Sequence, residues 1–252
     1  MMKFVTLGTS HGDPTRERFN TSTLLDAEEC GILFDAGAPV NALLIRRGVP
    51  FGRLRHLFVT HMHEDHIGGI PGLLKSFVKY PVPGQRLTVH LPEEAGIEAI
   101  LGFLRATHRM PPEELVGFDV LSPGAVYREN GVTVRAVPTR HMENEGLSGV
   151  PSFGFCIESE GSRVIYTGDL RFDFADFPRG EFKQPAGCIC ECTHFPLERA
   201  VEVLGALPVR KLVCTHVADR WHGGEGEAEF RRLASALPFP VALAHDGDEF
   251  LF

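Results

Sequence analysis

Apolar positions along the chain recur in two rhythms. Alternation and short apolar runs mark strands at 3–8, 23–25, 32–34, 56–60 and 87–91. A helical spacing appears after Pro39, in Val40, Leu43 and Leu44 with a stop at Gly48, and Pro39 suits a first helical position. It appears again in Leu73, Leu74, Phe77 and Val78, and after Pro92-Glu93-Glu94 in Ile97, Ile100, Leu101 and Leu104. Past Met110-Pro111-Pro112 the pattern turns to strands, at 118–121, 125–128, 132–137, 153–158, 163–166 and 188–191. Two strand–helix units close the chain: 211–215 before a helix with Phe230, Leu233 and Leu237, then 241–244 before Asp246-Gly247 and a last strand. This order predicts an α/β chain with two sheets packed together and helices outside. No stretch is rich enough in Gly, Ser or Pro to be a linker, so a single domain over 1–252 is expected.

One polar stretch interrupts this pattern with chemistry. Residues 60–69 read Thr-His-Met-His-Glu-Asp-His-Ile-Gly-Gly, directly after the apolar run Leu57-Phe58-Val59. His61, His63, Asp65 and His66 therefore hang off a strand end, where a loop can fold them around an ion. His61 and His63 share one side of an extended segment, whereas the Asp65-His66 step needs a turn. Gly68 and Gly69 allow a sharp bend and a close backbone approach. With 12 His in 252 residues, three at fixed offsets arise by chance in roughly 1 in 9,000 windows, so a polar loop facing water is the poorer reading. Imidazole nitrogen and carboxylate oxygen suit zinc first, with manganese or iron as alternatives.

Charge and cysteine content narrow the partners. A net charge of −8 argues against a surface built to hold a long nucleic-acid backbone, although bound divalent ions would make a pocket locally cationic. The start of the chain lacks the apolar core of a secretory signal, and no apolar run approaches membrane-spanning length. The six cysteines are then expected as free thiols in the cytoplasm, with Cys188, Cys190 and Cys192 alternating onto one buried strand face.

Three further strand ends carry residues of the same chemical kind. His141 follows the strand at 132–137, Asp169 ends Val164-Ile165-Tyr166-Thr167-Gly168, and His216 ends Leu212-Val213-Cys214-Thr215. Each alone would pass for a turn or cap residue. Together with the first loop they point to a shared cleft at one edge of the sheets.

These segments resemble the metallo-β-lactamase superfamily, in the branch of RNase Z and of the cyclic-phosphate phosphodiesterase of carbon–phosphorus lyase pathways. The resemblance covers nearly the whole chain. It includes Leu7-Gly8-Thr9, Asp13-Pro14-Thr15, Arg18, Asp35, the histidine loop, His141, Pro151-Ser152-Phe153-Gly154 and Thr167-Gly168-Asp169. Glu191-Cys192-Thr193-His194, Thr215-His216 and Asp246-Gly247 complete it. It implies a four-layer αββα fold, two divalent metal ions per chain and a hydrolase. By the resemblance, His61, His63 and His141 hold one ion, Asp65, His66 and His216 the other, and Asp169 bridges them. Asp35 supports the histidine loop by the resemblance, and on the residues alone reads equally as a turn carboxylate before Ala36-Gly37. Asp65 can also take a proton from the attacking water, His194 can protonate the leaving group, and Glu191 can orient His194. Arg220, His222 and His11 are candidate substrate contacts, Arg220 because a guanidinium fork suits phosphate.

Departures from the pattern sharpen the expectation. The long arm by which RNase Z grips tRNA is inserted in many members between the third His and the bridging Asp, yet here Asp169 follows His141 by 28 residues. Only His194 lies between Cys192 and Thr215, where RNase Z has a further His motif. No cysteine cluster stands at 9–29 to match the zinc insert of the carbon–phosphorus enzyme. A β-lactamase would be exported and needs no bridging Asp. The Gly-His-Thr of glyoxalase-type thioesterases is replaced by Arg140-His141-Met142, and di-iron oxidoreductases commonly carry Glu where His63 stands. The expected substrate is a small or cyclic phosphodiester. Lactone or thioester hydrolysis, an armless tRNA 3′-processing endonuclease and a non-catalytic metal-binding sensor are the rivals. The resemblance also admits a homodimer.

Overall fold

The computed structural model describes residues 1–27 and 30–252, in two compact units. One comprises residues 2–122 and 246–251, the other 123–245 with the two terminal residues. Among the described residues no helix is long and apolar enough to cross a membrane.

The first unit is a seven-stranded mixed sheet. Its strands are β1 (Lys3–Gly8), β2 (Ser22–Asp26), β3 (Gly31–Phe34), β4 (Leu54–Phe58), β5 (Leu87–Leu91), β6 (Val116–Val120) and β14 (Asp248–Leu251), in the order β14-β1-β2-β3-β4-β5-β6. The pairs from β14 to β3 are antiparallel and those from β3 to β6 parallel. Parallel neighbours need crossovers, which α1 (Val40–Arg46), α3 (Ile70–Lys79) and α4 (Glu94–Ala106) supply. Leu44, Leu73, Leu74, Phe77, Ile100 and Leu104 pack from these helices onto Leu33, Leu57 and Val89, all buried. Because β1, β3, β4 and β5 run the same way, their carboxyl ends open on one edge of the sheet.

The second unit mirrors this division. Strands β7 (Val126–Glu129), β8 (Val132–Thr139), β9 (Ser152–Ser159), β10 (Ser162–Tyr166), β11 (Ala186–Cys192), β12 (Val209–Val217) and β13 (Val241–Leu243) form one sheet in the order β13-β12-β11-β10-β9-β8-β7. The pairs from β13 to β10 are parallel and those from β10 to β7 antiparallel, so β8, β10, β11 and β12 share a direction. Helices α5 (Leu197–Gly205) and α6 (Gly223–Ala234) cover a core that includes Leu212, Ala200, Leu204, Trp221 and Phe230. Cys156, Cys188, Cys190, Cys192 and Cys214 belong to that core as free thiols, as the alternation at 188–192 implied.

The structure moves several sequence expectations. Pro39 is the N-cap and the helix begins at Val40, while Gly48 stops it in a left-handed conformation at φ 71°. The strand expected at 56–60 ends at Phe58: Val59 N–H still reaches His90 O at 3.0 Å, but Thr60 N–H is taken by Asp35 Oδ1 at 2.8 Å. The strand expected at 118–121 begins at Val116. In α4, Ile100 and Leu104 are buried but Ile97 and Leu101 only partly. Helix α5 was not anticipated, although Leu197, Ala200, Val201 and Leu204 have the helical spacing after Pro196.

A chain of polar side chains crosses β4, β5 and β6. His56 Nδ1 faces His90 Nε2 at 2.9 Å, and His90 Nδ1 faces Asp119 Oδ2 at 3.2 Å. With Asp119 ionised, His90 Nδ1–H donates to it, and His90 Nε2 is left to accept from His56. Phe58 stacks on the His90 ring at 4.3 Å and 7°. Burial, and then the neighbouring His56, push the His90 pKa down to about 4 against the pull of Asp119. The unfolded chain thus binds a proton near pH 6.5 that the fold refuses until about pH 4. This stability is complete above pH 6.5 and is lost as pH falls through that window, by up to about 3 kcal/mol. Denaturant titrations from pH 7 to 4 should show this loss, and His90→Gln should give a shallower slope; equal slopes would exclude His90 as its source.

Candidate metal centre

In the first unit the ligand loop is fixed from behind by one carboxylate. Asp35 follows β3, is fully buried, and holds φ 61°, a left-handed conformation that costs a non-glycine residue about 1–3 kcal/mol. Its Oδ1 accepts from Thr60 N–H at 2.8 Å and from Thr60 Oγ1–H at 3.0 Å, and its Oδ2 lies 2.9 Å from His66 Nδ1. With the Thr60 proton on Asp35, the hydroxyl accepts from His61 Nδ1–H at 3.0 Å. Both imidazoles therefore keep Nε2 as the lone-pair nitrogen. His61 Nε2 sits 2.9 Å from His63 Nδ1, and His66 Nε2 sits 3.3 Å from Asp65 Oδ2.

The turn expected at Asp65-His66 is a single helical turn, α2 (Glu64–Ile67). Gly68 and Gly69 do not bend the chain through positive φ, since both are in the right-handed region. Their role is close approach. A Cβ on Gly69 would meet Ala36 O at 2.7 Å, and one on Gly37 would meet Asp65 O at 2.2 Å. Ala36 N–H donates to His66 O at 2.7 Å, which locks α2 against the turn carrying Asp35.

In the second unit the four strands that share a direction deliver the remaining residues. His141 begins a short 3₁₀ turn after β8, Asp169 follows β10, Glu191 and His194 lie at the end of β11, and His216 lies on β12. Three imidazoles surround one carboxylate oxygen: Asp169 Oδ2 is 3.8 Å from His141 Nε2, 3.5 Å from His216 Nε2 and 3.8 Å from His194 Nδ1. His141 Nδ1–H donates to Leu170 O at 3.2 Å, which leaves Nε2 turned to Asp169. Burial lowers the His141 pKa despite the opposing charge of Asp169, so the ring is neutral, as a ligand must be. His216 holds φ 50°, and the Thr193 hydroxyl donates to its carbonyl.

Glu191 is the organising carboxylate of this unit. It is buried, and it accepts from Leu170 N–H at 2.8 Å, Thr193 N–H at 2.8 Å and His194 N–H at 3.0 Å. Its Oε1 also takes His194 Nδ1 at 3.0 Å. Burial would raise its pKa, but the charge and hydrogen bond of His194 hold it below the usual value. The His194 ring lies between His141 and His216, with centroids at 4.6 and 5.4 Å, and its side chain is 27% exposed.

The donor set fits divalent cations. Separations of 3.3, 3.5 and 3.8 Å are longer than good hydrogen bonds. The first two lie near the edge of about 3.3–3.4 Å that a tetrahedron with bonds of 2.0–2.1 Å requires, and the third is wider. Ligand atoms of His141, Asp169 and His194 lie within 4.8 Å of one another, as do those of Glu191, His194 and His216. Arg220 and His222 are engaged elsewhere. The Arg220 guanidinium lies 4.4 Å over Trp221 and donates to Phe195 O at 3.1 Å, and His222 Nε2 donates to Val217 O at 3.0 Å. His11 Nδ1 faces Asp13 N–H at 3.5 Å within its own loop. The sequence pattern did not single out Thr60 or the Leu170 carbonyl, which have no signature beyond adjacency to a ligand.

Comparison with known proteins bears on the family and the fold. A family model described as Anti-Pycsar protein Apyc1 matches residues 2–201. Ribonuclease Z of Staphylococcus saprophyticus is 34% identical over 164 residues, covering 63% of this chain and 50% of that protein. The chain thus spans about half the length of the curated relatives it matches. Among solved structures, the metallo-β-lactamase fold protein YhfI from Bacillus subtilis superposes with a TM-score of 0.78 at 19% identity over 100% of both chains. A diphosphatase from the PhnP family gives a TM-score of 0.72 at 17% identity, covering 100% of this chain and 98% of that one. The fold is that of the metallo-β-lactamase superfamily, with two mixed sheets flanked by helices.

Replacing Thr60 by Val leaves two buried partners, Asp35 and His61 Nδ1, without its hydroxyl. Thr60→Val should lower unfolding stability by about 1–3 kcal/mol and metal affinity by about 10- to 100-fold, measured by denaturant titration and chelator competition. Unchanged affinity would show that the hydroxyl does not orient the ligands.

Proposed function

The chain belongs to the family of the anti-Pycsar protein Apyc1, and from that premise we propose that it is a dinuclear metal-dependent hydrolase of small or cyclic phosphodiesters. In this reading His61, His63 and His141 would hold one divalent ion, Asp65, His66 and His216 would hold the other, and Asp169 would serve both. Zinc is the first choice for such a set of imidazoles and carboxylates, with manganese or iron as alternatives. When bound, two such ions supply Lewis acidity and bring the pKa of water toward neutrality.

The remaining steps belong to the protein. Asp65 accepts the proton released by the attacking water. The departing alkoxide needs a proton, and His194 is the residue assigned to give it in this reading. Glu191 Oε1 holds His194 Nδ1 at 3.0 Å, which fixes the ring and leaves Nε2 as the nitrogen that would carry the transferred proton. This Glu191–His194 pair beside Asp169 is the observation that carries the reading, because metal-assisted water attack alone would not need it. The six buried free thiols support a cytoplasmic setting. Arg220 and His222, held by the turn after β12, are retained only as contacts for an incoming substrate's outer part.

A second reading has specific support. Curated relatives such as the staphylococcal protein are named ribonuclease Z, so an RNA 3′-processing endonuclease without the usual arm is the alternative. The acidic balance of −8 and the 28-residue step from His141 to Asp169 favour the smaller substrate.

The test is a hydrolysis panel on zinc- or manganese-reconstituted protein: bis-p-nitrophenyl phosphate, 2′,3′- and 3′,5′-cyclic nucleotides, a precursor tRNA, a lactone and a thioester. Phosphodiester turnover should be abolished by a chelator and restored by metal. His194→Ala should lose about 10²- to 10⁴-fold in kcat with the metal content kept. Activity confined to precursor tRNA would establish the second reading, and activity confined to esters would overturn both.

A further inference from the structure

The segments that carry His141 and Asp169 are tied by one side chain that belongs to neither ligand set. Asp176 Oδ2 accepts from Arg140 N–H at 2.7 Å, and its Oδ1 accepts from Arg171 N–H at 3.0 Å. Arg140 immediately precedes His141, and Arg171 stands two residues after Asp169. One carboxylate thus spans both backbones. Asn144 makes a parallel tie: its amide donates to Leu170 O at 3.1 Å, and its carbonyl accepts from Phe172 N–H at 3.1 Å. Leu170 O is the same acceptor that fixes the tautomer of His141.

Asp176 is itself held by anchors on either side. Phe174 and Phe177 are buried and stack at 4.7 Å, and Phe174 packs on Phe195 at 4.4 Å. Phe174 adopts φ 57°, an outlier for a bulky side chain, and its N–H closes the turn onto Arg171 O at 2.9 Å. Such strain persists only where the surroundings over-determine the backbone, and it clusters at functional sites. An ordinary turn carboxylate caps N–H groups of its own loop. Asp176 caps one N–H of its own loop and one of a segment 36 residues away.

We propose that Asp176 is a positioning residue, clamping the His141 segment to the Asp169 segment so that His141 Nε2 and the Asp169 carboxylate are held at the spacing a shared cation needs. This rests on the hydrolase reading for the identity of the ligands. The clamp acts on geometry and touches no substrate. Asn144 reinforces it through the Leu170 carbonyl.

The test uses the full chain loaded with cobalt(II). Affinity is read by competition with a chromophoric chelator, coordination geometry from the visible absorption bands, and stability from the Tm of metal-free protein. Asp176→Ala should weaken binding of at least one cobalt ion by about 10- to 100-fold, the range for groups that orient ligands, and should alter the visible bands. The metal-free Tm should change little, because water can reach the freed N–H groups. Asp176→Asn should fall between, since a carboxamide oxygen can replace only one of the two carboxylate acceptors. It also carries the comparison should the alanine variant not fold. Wild-type affinity and bands in both variants would overturn the clamp, as would a Tm loss with no change in either. No phosphodiester turnover in wild-type protein carrying two cobalt ions overturns the substrate reading alone; no cobalt uptake by wild-type protein overturns both.

Discussion

A neutral imidazole offers one lone pair, so a metal centre built from histidines depends on what holds the other nitrogen of each ring. Here that nitrogen is committed at one position after another. Thr60 takes His61 Nδ1, Asp35 takes His66 Nδ1 and the Leu170 carbonyl takes His141 Nδ1, while Glu191 holds Nδ1 of His194, which is no ligand. Each partner fixes a tautomer as well as a ring plane, and the partners are anchored in turn. Asp35 is bonded to Thr60 N–H, two residues beyond β4, and Glu191 to three backbone N–H groups. The donor set is thus held before any cation arrives, which lowers the cost of gathering it.

This preorganisation carries its own costs. Asp35 and His216 sit at φ 61° and 50°, and carboxylates at 35, 169 and 191 are almost fully buried. Such conformations and charges persist because rigid sheets surround them. The helix-covered cores around Leu57 and Leu73 in one unit, and around Leu212 and Phe230 in the other, supply that rigidity. Glycine is used where backbones must nearly touch: a side chain at Gly37 or Gly69 would displace the ligand turn or the loop behind it.

Much of this was legible in the residues. The strands at 3–8 and 87–91 fall where the sequence reading placed them, and both are buried at all but one position. The placement of these residues at strand ends was legible too, since His61, His141, Asp169 and His216 each follow or close an apolar run. What escaped depends on contacts across the chain. Nothing local marks Thr60 as the partner of Asp35, 25 residues away, or Asp176 as the partner of Arg140. Pro39 was placed one residue too far into its helix because propensity does not distinguish an N-cap from a first turn. Helix α5 carries an ordinary helical spacing in Leu197, Ala200, Val201 and Leu204.

The central claim is that both ligand sets serve one pair of cations. Anomalous diffraction from crystals of zinc-loaded protein, collected on either side of the zinc edge, tests this most directly. The account predicts two peaks about 3.5–4 Å apart, one within bonding distance of His61, His63 and His141, the other of Asp65, His66 and His216, and both of Asp169. A single peak confined to one of the two sets, or two peaks too distant for Asp169 to reach both, would contradict it.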